Sequence, residues 1–549
     1  PHHSPPPPRA PPFHISSGSI HQYQQCGRMA GAKAKAVPGA WKSPVGADLL
    51  TKKFNVISSC KALAEGVHAI TELRPAEAGR VCVYVRGADG VCSDLFPPPF
   101  NARTRVHEYG GACTEIIDVS KEKKEKFALI FSNFSDQRLY AVTFHLRDGR
   151  CEDVSQPAAI TSADNSSDRY GSFFFDTRTG FLFSAFERHS QDGKVENSII
   201  AADMKHIVAH LDVNEAGGGG VPTLGEHYTL SLPSDFATSP ALHPTSNTLV
   251  YISWDHPNMP WDETRMVEVE FELKEGRVVV GRQEVIRGGD GKGEAVKQPR
   301  FHPSGALFFV TDKSSFWQIY RREEGKEDVR VTQGDFDAAS PSWTVGTSNY
   351  SFIGDDALLC RATMQARTHL ILVEGVMSDA PTQTELACEM GDVMEMECAR
   401  VGEGKVALTF VASSPAIAIT AATAVIEGEE AESQACAYLK EVGVQLSQAG
   451  EGAGKWEEVA RQTDLDRQEV EGYEGYRLND FFTSPTHITY PSAGGRQSHA
   501  LLYLPQSPVY ESDGSLPPLL VKSHGGPTSN AASRFNLSIQ FWTSRGFAV

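Results

Sequence analysis

The chain has 549 residues, enough for two or three domains with large cores. It is 40% apolar and 22% charged, and its net charge of −18 argues against a surface built to bind nucleic acid. No run of 18 apolar residues occurs, so no helical membrane span is expected.

Residues 1–40 open Pro-rich and continue small and basic, with Arg9, Arg28, Lys33 and Lys35 and no acid before Asp48. The expectation is a disordered tail, with the remnant of a plastid or other organellar transit peptide as the alternative. The ten cysteines are scattered without a Cys-x-x-Cys pair, which fits reduced thiols in a cytoplasmic protein. No His-Glu-x-x-His occurs and no complete phosphate loop surrounds Lys292, Lys405 or Lys455, so neither metal nor cofactor is expected.

Residues 41–478 are strand-rich and broken by turns. Short apolar runs recur at 81–85, 127–131, 181–185, 249–253 and 307–311, each bounded by Gly, Asn, Asp or Pro. Ser239-Pro240-Ala241-Leu242-His243-Pro244 precedes one such run, and Gln298-Pro299-Arg300-Phe301-His302-Pro303 precedes another. Each run is followed by a polar turn (254–264 and 312–316) and a second strand. Residues 174–180 look like an earlier copy and Ser340-Pro341-Ser342-Trp343 like a later start. A unit of about 60 residues repeated over 41–478 gives about seven blades of a β-propeller. Residues 440–475, Gly- and Glu-rich around 450–454, are expected to be loops and a last blade strand.

Residues 479–549 change character. Two strands near 487–490 and 500–504, joined by a turn, form an antiparallel hairpin. The apolar run 516–521 reads as a short buried strand that stops at His524-Gly525-Gly526-Pro527. A helix is expected over 531–544, capped by Thr528, Ser529 or Asn530 and ended by Gly546. Phe547-Ala548-Val549 then begins another strand, which makes one right-handed crossover of a parallel sheet. The chain opens on proline and stops inside a strand, so a fragment is expected. The fold class is therefore mainly β: a propeller followed by the first strands and helix of an incomplete α/β-hydrolase domain.

Four stretches in this order resemble the prolyl oligopeptidase family of serine peptidases, nearest its acylaminoacyl-peptidase and dipeptidyl-aminopeptidase types. They are 41–49 (Trp41-Lys42-Ser43-Pro44), 103–111 (with His107-Glu108-Tyr109-Gly110-Gly111) followed by 131–140, 254–262 (Trp254-Asp255-His256-Pro257), and 523–549. The resemblance implies a propeller that restricts a C-terminal hydrolase domain to small peptides, with a Ser, Asp, His triad after the His-Gly-Gly-Pro turn. No Gly-x-Ser-x-Gly occurs in the 549 residues, so the triad is expected to lie outside them and the chain to be inactive by itself. The glycine turn is the part of the chemistry expected here: Gly526, with Gly525 beside it, would aim backbone N–H groups at an oxyanion. His524 is expected to be structural, orienting that loop.

Three further residues are candidates for a charged peptide terminus: Arg103, Arg105 and Glu108, with an ion-paired corner of the propeller as the alternative. The aromatic turn 254–262 could line the central channel or pack on a neighbouring blade. His243 and His302 recur at one blade position and are expected to be structural. Small peptides are the expected partners, with no nucleic acid and no membrane, and nothing fixes an oligomeric state. A non-catalytic binding propeller and an esterase or lactonase on the same fold stay open.

Overall fold

The computed structural model describes residues 32–120, 125–165, 167–213, 222–445, 456–526 and 528–549. Seven antiparallel sheets follow one another along the chain, six of four strands and one with a short fifth strand. They are the seven blades of a β-propeller. Their innermost strands are Val56–Ala64, Thr114–Asp118, Asp168–Asp176, Phe236–Leu242, Val296–Phe301, Tyr350–Ile353 and Asp392–Gly402. Each blade is built from consecutive strands, so the ring closes between blades 7 and 1 without exchanging one.

The apolar runs that mark the blades are buried on both faces. Along Lys126–Ser132 of blade 2, Phe127, Leu129 and Phe131 pack with Val67, Val83 and Val85 of blade 1. Their neighbours Ala128 and Ile130 pack with Tyr170, Leu182 and Ile200 of blade 3. A strand's side chains alternate between faces, so one run serves two blade interfaces. The same arrangement continues round the ring to the seam, where Ile57, Cys60, Ile70 and Tyr84 of blade 1 meet Val411, Ile419, Ala421 and Val459 of blade 7. Polar contacts reinforce the seam: the Cys60 N–H donates to Glu395 Oε2 (3.1 Å), and Lys405 pairs with Glu65 (2.7 Å).

The repeat is real at residue level. His243 and His302 both follow the innermost strand of their blade, and each Nδ1 accepts from backbone N–H groups two or three residues on. Blade 3 puts Asp176 at this place, where its carboxylate accepts from the Thr179 N–H (2.9 Å). The same three inner strands carry a bulge at a residue with positive φ: Ser172 (51°), Ser239 (56°) and Gln298 (54°). Ser340-Pro341 does not begin a further copy. It lies in the connection ahead of blade 6, whereas Ser239-Pro240 and Gln298-Pro299 lie within their strands. A helix over Ala431–Val442, unexpected from the sequence, sits between the third and fourth strands of blade 7 and buries Ala435, Cys436 and Leu439. Residues 446–455, with the Gly-rich stretch, lie outside the described residues, as do residues 1–31 with most of the expected tail. The nine cysteines among the described residues are unpaired.

The C-terminal part begins with the hairpin Thr486–Pro491 and Gln497–Leu502. Tyr503 exchanges both backbone hydrogen bonds with Val549 (2.8 and 2.9 Å), and Leu520 N–H donates to Ala548 O (2.9 Å) in a parallel bridge. The spatial order is thus hairpin, 547–549, 518–520, the start of an α/β-hydrolase sheet. The run 516–521 is not buried as expected: Leu516 is 91% exposed and Val521 86%. Among the described residues its strand partner is 547–549, and no helix covers it. Residues 32–40, expected in the tail, lie on this part. Ala34–Ala36 pairs in parallel with Tyr510–Ser512, and Gly39 N–H donates to Arg545 O (2.9 Å). Gly546, at φ 92°, follows the helix as expected, and a Cβ there would meet Gly39 N at 2.6 Å. No helix among the described residues is long and apolar enough to cross a membrane.

Candidate functional site

The glycine turn over 523–526 is followed by Thr528, which is held against one end of the propeller. Thr528 Oγ1 accepts from Trp343 Nε1 (2.8 Å), which lies in the connection between blades 5 and 6. Beyond the turn, Arg534 pairs with Asp392 (3.0 Å) and the Phe535 N–H donates to Ser413 Oγ (3.0 Å), both in blade 7. These bonds keep the chain extended, so the helix starts later than expected. It spans Leu537–Thr543 and is capped by Asn536, whose side chain accepts from Ser538 N–H, not by residues 528–530. Gly526 has φ 77°, which only glycine adopts without strain. A Cβ on Gly525 would meet nothing within 4 Å, and one on Gly526 only Ser529 Cβ at 4.0 Å. The face of the turn is open.

Trp343 also walls a cavity of about 120 Å³, together with Tyr109, Phe236, Trp254, Trp261 and Lys297. Phe236 and Trp254 stack at 5.0 Å, and His107 packs edge-on against both. Trp343 stands 4.7 Å from Trp261 and 4.9 Å from Tyr109, centre to centre. Of the two outcomes weighed for the aromatic turn 254–262, packing on a neighbouring blade is seen at Trp254, which packs with Val296 and Phe309 of blade 5, while Trp261 lies against Trp343 in the wall of the cavity.

A strap between blades 1 and 2 completes this wall. His107 (φ 51°) and Glu108 (φ 66°) are both left-handed, and Gly110 and Gly111 follow. The strap crosses to the connection between blades 5 and 6, where Val345 N–H donates to Gly110 O (2.9 Å) and Ala112 N–H to Val345 O (3.0 Å). A Cβ on Gly111 would lie 2.2 Å from Val345 O, so only glycine allows the approach. Ser172 N–H in blade 3 donates to Ala112 O (2.6 Å), which ties the strap to the far side as well.

The charged candidates do not converge. The guanidinium groups of Arg103 and Arg105 both lie over the Phe134 ring, at 4.6 and 4.5 Å. Glu108 turns the other way and pairs with Arg169 (2.8 Å), which also bonds the buried Glu187 (2.9 Å). This is the ion-paired corner. Glu108, Glu187 and His189 bring ligand atoms within 4.8 Å of one another, but Arg169 already places a cation against both carboxylates. His524 is exposed, and its ring has no hydrogen-bond partner among the described residues that would let it orient the turn.

Burial sets the protonation of the cavity wall. It lowers His107 to about 4 against the opposing pull of Glu187, so the ring is neutral at pH 7. It brings the Lys297 ammonium from 10.5 down to about 7, against Asp312 and Asp337. Lys297 Nζ lies 3.5 Å from the centre of the Trp317 ring and donates to Ser340 O (3.3 Å). A second, polar cavity of about 250 Å³ lies between the propeller and residues 530–534, with Arg361, Arg367, Asp392 and Arg534 in its wall. Neither Lys297 nor the pairing of Trp343 with Tyr109 and Trp261 was visible in the sequence.

No protein-family profile matches the chain, and no curated protein matches it in sequence. Solved structures do match. A puromycin hydrolase superimposes with a TM-score of 0.70 at 24% identity, over 94% of this chain and 68% of that one. A puromycin-hydrolyzing peptidase of Mycobacterium tuberculosis gives 0.70 at 22%, over 94% and 69%. The acylaminoacyl peptidase of Pyrococcus horikoshii gives 0.52 at 11%, over 91% and 65%. The chain shares the fold of these peptidases, the fold that the sequence resemblance implied.

Proposed function

We propose that the chain is the propeller and first hydrolase strands of a serine peptidase of the prolyl oligopeptidase family, acting on peptide or acyl-aminoacyl bonds of small substrates. One observation carries this: the open Gly525-Gly526 turn is held by the Trp343–Thr528 hydrogen bond at the rim of an aromatic cavity in the propeller. A carbonyl at the turn and a side chain in the cavity would belong to one short ligand. In acyl transfer a serine oxygen attacks the carbonyl, and the negative charge that develops on its oxygen is stabilised by fixed N–H donors. Gly526 N–H is assigned that role, with Gly525 beside it. The nucleophile, acid and base are assigned to residues outside these 549, since no Gly-x-Ser-x-Gly is present. The names of the fold neighbours support the peptide substrate class.

The test pairs two proteins: residues 1–549, and the same chain extended by whatever coding sequence follows Val549. Both are treated with a fluorophosphonate probe and assayed on aminoacyl and acyl-aminoacyl anilides. The expected result is labelling and turnover in the extended protein only. Phosphonate-sensitive turnover by residues 1–549 would overturn the triad assignment. An extended protein that neither labels nor turns over would overturn the peptidase.

A further inference from the structure

We propose that the polar cavity between blades 6 and 7 and residues 530–534 is a subsite for a carboxylate of a peptide ligand, its C-terminus or an acidic side chain, held by Arg361 and Arg367. The assignment of that ligand to a substrate rests on the role given above to the Gly525-Gly526 turn; the binding of the carboxylate does not.

The cavity holds about 250 Å³. A water takes up about 30 Å³ of the liquid, so a carboxylate fits together with part of the chain that bears it. Bonds between the elements fix the walls in advance. Thr368 N–H in the third strand of blade 6 donates to Gly391 O (3.1 Å), and Val393 N–H in blade 7 donates to Thr368 Oγ1 (3.1 Å). A Cβ on Gly391 would collide with Ser533 O, so residues 530–534 lie directly on blade 7, and the Arg534–Asp392 pair (3.0 Å) holds them there. Asn530, in the same wall, is four residues from Gly526, no more than about 14 Å along the chain. A short extended peptide with a carbonyl at the turn would reach the cavity.

Charge selects the occupant. The chain as a whole carries −18, yet this wall sets Arg361, Arg367 and Arg534 against the single carboxylate of Asp392. Arg534 answers Asp392, which leaves two cations. Arg361 spends Nη1 on two backbone acceptors, Val393 O (2.8 Å) and Met394 O. Its Nε and Nη2 have no hydrogen-bond partner among the described residues. Burial disfavours its charge, and Asp392 and then Glu395 oppose that only from a distance. Glu395 instead accepts from the Cys60 N–H at the blade 1–7 seam. A guanidinium taken out of water without a counter-ion is costly, and an unused guanidinium edge gives two parallel N–H bonds to one carboxylate. Arg367, at the start of the hairpin's return strand, is exposed and forms no ion pair among the described residues. A neutral ligand would leave both cations unanswered. A doubly charged one would be repelled by Asp392, so a carboxylate is favoured over a phosphate.

Binding to residues 1–549 is measured by calorimetry at low salt. The probes are N-acetyl-L-alanyl-L-alanine, the α-amide of N-acetyl-L-alanyl-L-glutamate, N-acetyl-L-alanyl-L-alaninamide and inorganic phosphate. Both carboxylates are expected to saturate, with the neutral dialanine amide and phosphate weaker by about tenfold or more. Either order of the two carboxylates supports the subsite, and the tighter one identifies the source as chain end or side chain. Arg367→Gln removes a charge that pairs with nothing else in the fold. It is expected to weaken both carboxylates by about tenfold with the thermal midpoint in place, and Arg367→Lys to restore only part of the loss, because an ammonium lacks the planar fork. Neutral amide or phosphate binding as tightly as the carboxylates, unchanged affinity in Arg367→Gln, or no saturable binding at all would overturn the subsite. Hydrolysis is not read here. Loss of carboxylate binding with turnover intact in the extended protein would remove the subsite alone. Carboxylate binding with no phosphonate-labelled serine in the extended protein would remove the peptidase alone.

Discussion

Lys297 gives the sharpest test of the cavity wall. Its ammonium titrates near 10.5 in an unfolded chain and near 7 in the fold, because burial disfavours the charged form. Above pH 10.5 both states are neutral and the group has no effect. As pH falls toward 7 only the unfolded chain takes up the proton, so folding loses about 1.4 kcal/mol per pH unit, and below 7 the loss is constant. Between pH 9.5 and pH 7 this amounts to about 3 kcal/mol. Lys297→Met keeps the stem and removes the titration. The variant forfeits the contact with the Trp317 ring and the bond to Ser340 O, together roughly 2 kcal/mol. That part is set mainly by packing, so the pH dependence of the difference is the informative quantity. Urea unfolding of both proteins at pH 7 and pH 9.5, followed by tryptophan fluorescence, should show the stability of Lys297→Met relative to the parent falling by about 3 kcal/mol on going to pH 9.5. A difference that does not change with pH would mean that Lys297 is solvated and charged.

At the blade 1–7 seam the sign reverses. Burial raises the Glu395 carboxyl from 4.5 to about 7, with Lys61 opposing and Glu397 reinforcing. Stability is therefore lost as pH rises from 4.5 to 7 and stays lower above. Glu395→Gln, which can still accept from the Cys60 N–H, should gain on the order of 1–3 kcal/mol over the parent at pH 8 and almost nothing at pH 4.5; thermal midpoints at the two pH values check this, and equal gains would refute it. Gly111→Ala forces a Cβ to 2.2 Å from Val345 O and should cost roughly 2 kcal/mol or more in thermal unfolding. An unchanged midpoint would show that the strap yields freely. In the extended protein Gly526→Val should cut kcat on the order of 10²-fold while leaving the propeller's thermal midpoint in place, and an unchanged kcat would remove Gly526 from the oxyanion site.

The ring was legible because one physical demand recurs in every blade. A strand buried between two neighbours must be apolar on both faces, and runs such as 127–131 and 307–311 say so directly. The place of His243 and His302 was legible because a turn needs an acceptor there, which blade 3 supplies with Asp176 instead. The late helix start was not legible. Residues 528–535 have helix-compatible composition, and bonds to Trp343, Asp392 and Ser413, more than 120 residues earlier, hold them extended. The helix over Ala431–Val442 was missed because its buried face is mostly small, with Ala431, Ala435 and Cys436 ahead of Leu439. The cavity was least legible of all. Its walls come from four separate stretches of chain, around residues 109, 236–261, 297 and 343, and no local pattern joins them.

The candidate chemistry sits where the repeat breaks. Blades 3, 4 and 5 each carry one bulged residue of positive φ in the inner strand, and its recurrence marks it as part of the frame. Another adjacent pair, Gln365 and Ala366, turns a hairpin within blade 6, whereas the left-handed pair His107 and Glu108 lies outside the blade strands. It belongs to a strap that leaves blade 1, bonds to blade 3 through Ser172 and to the connection before blade 6 through Val345, and so spans the ring instead of following it. Trp261 and Trp343 likewise stand in connections, not in blade strands. Rigid sheets fix the ends of these segments, and the segments carry the groups that a ligand would meet. Because the strap is anchored to the propeller at both ends, the cavity owes its shape to the blades. From the hydrolase part, Thr528 is joined to this wall through Trp343 by a hydrogen bond. A wall built in this way keeps its geometry whether or not the exposed strand at 516–521 is covered.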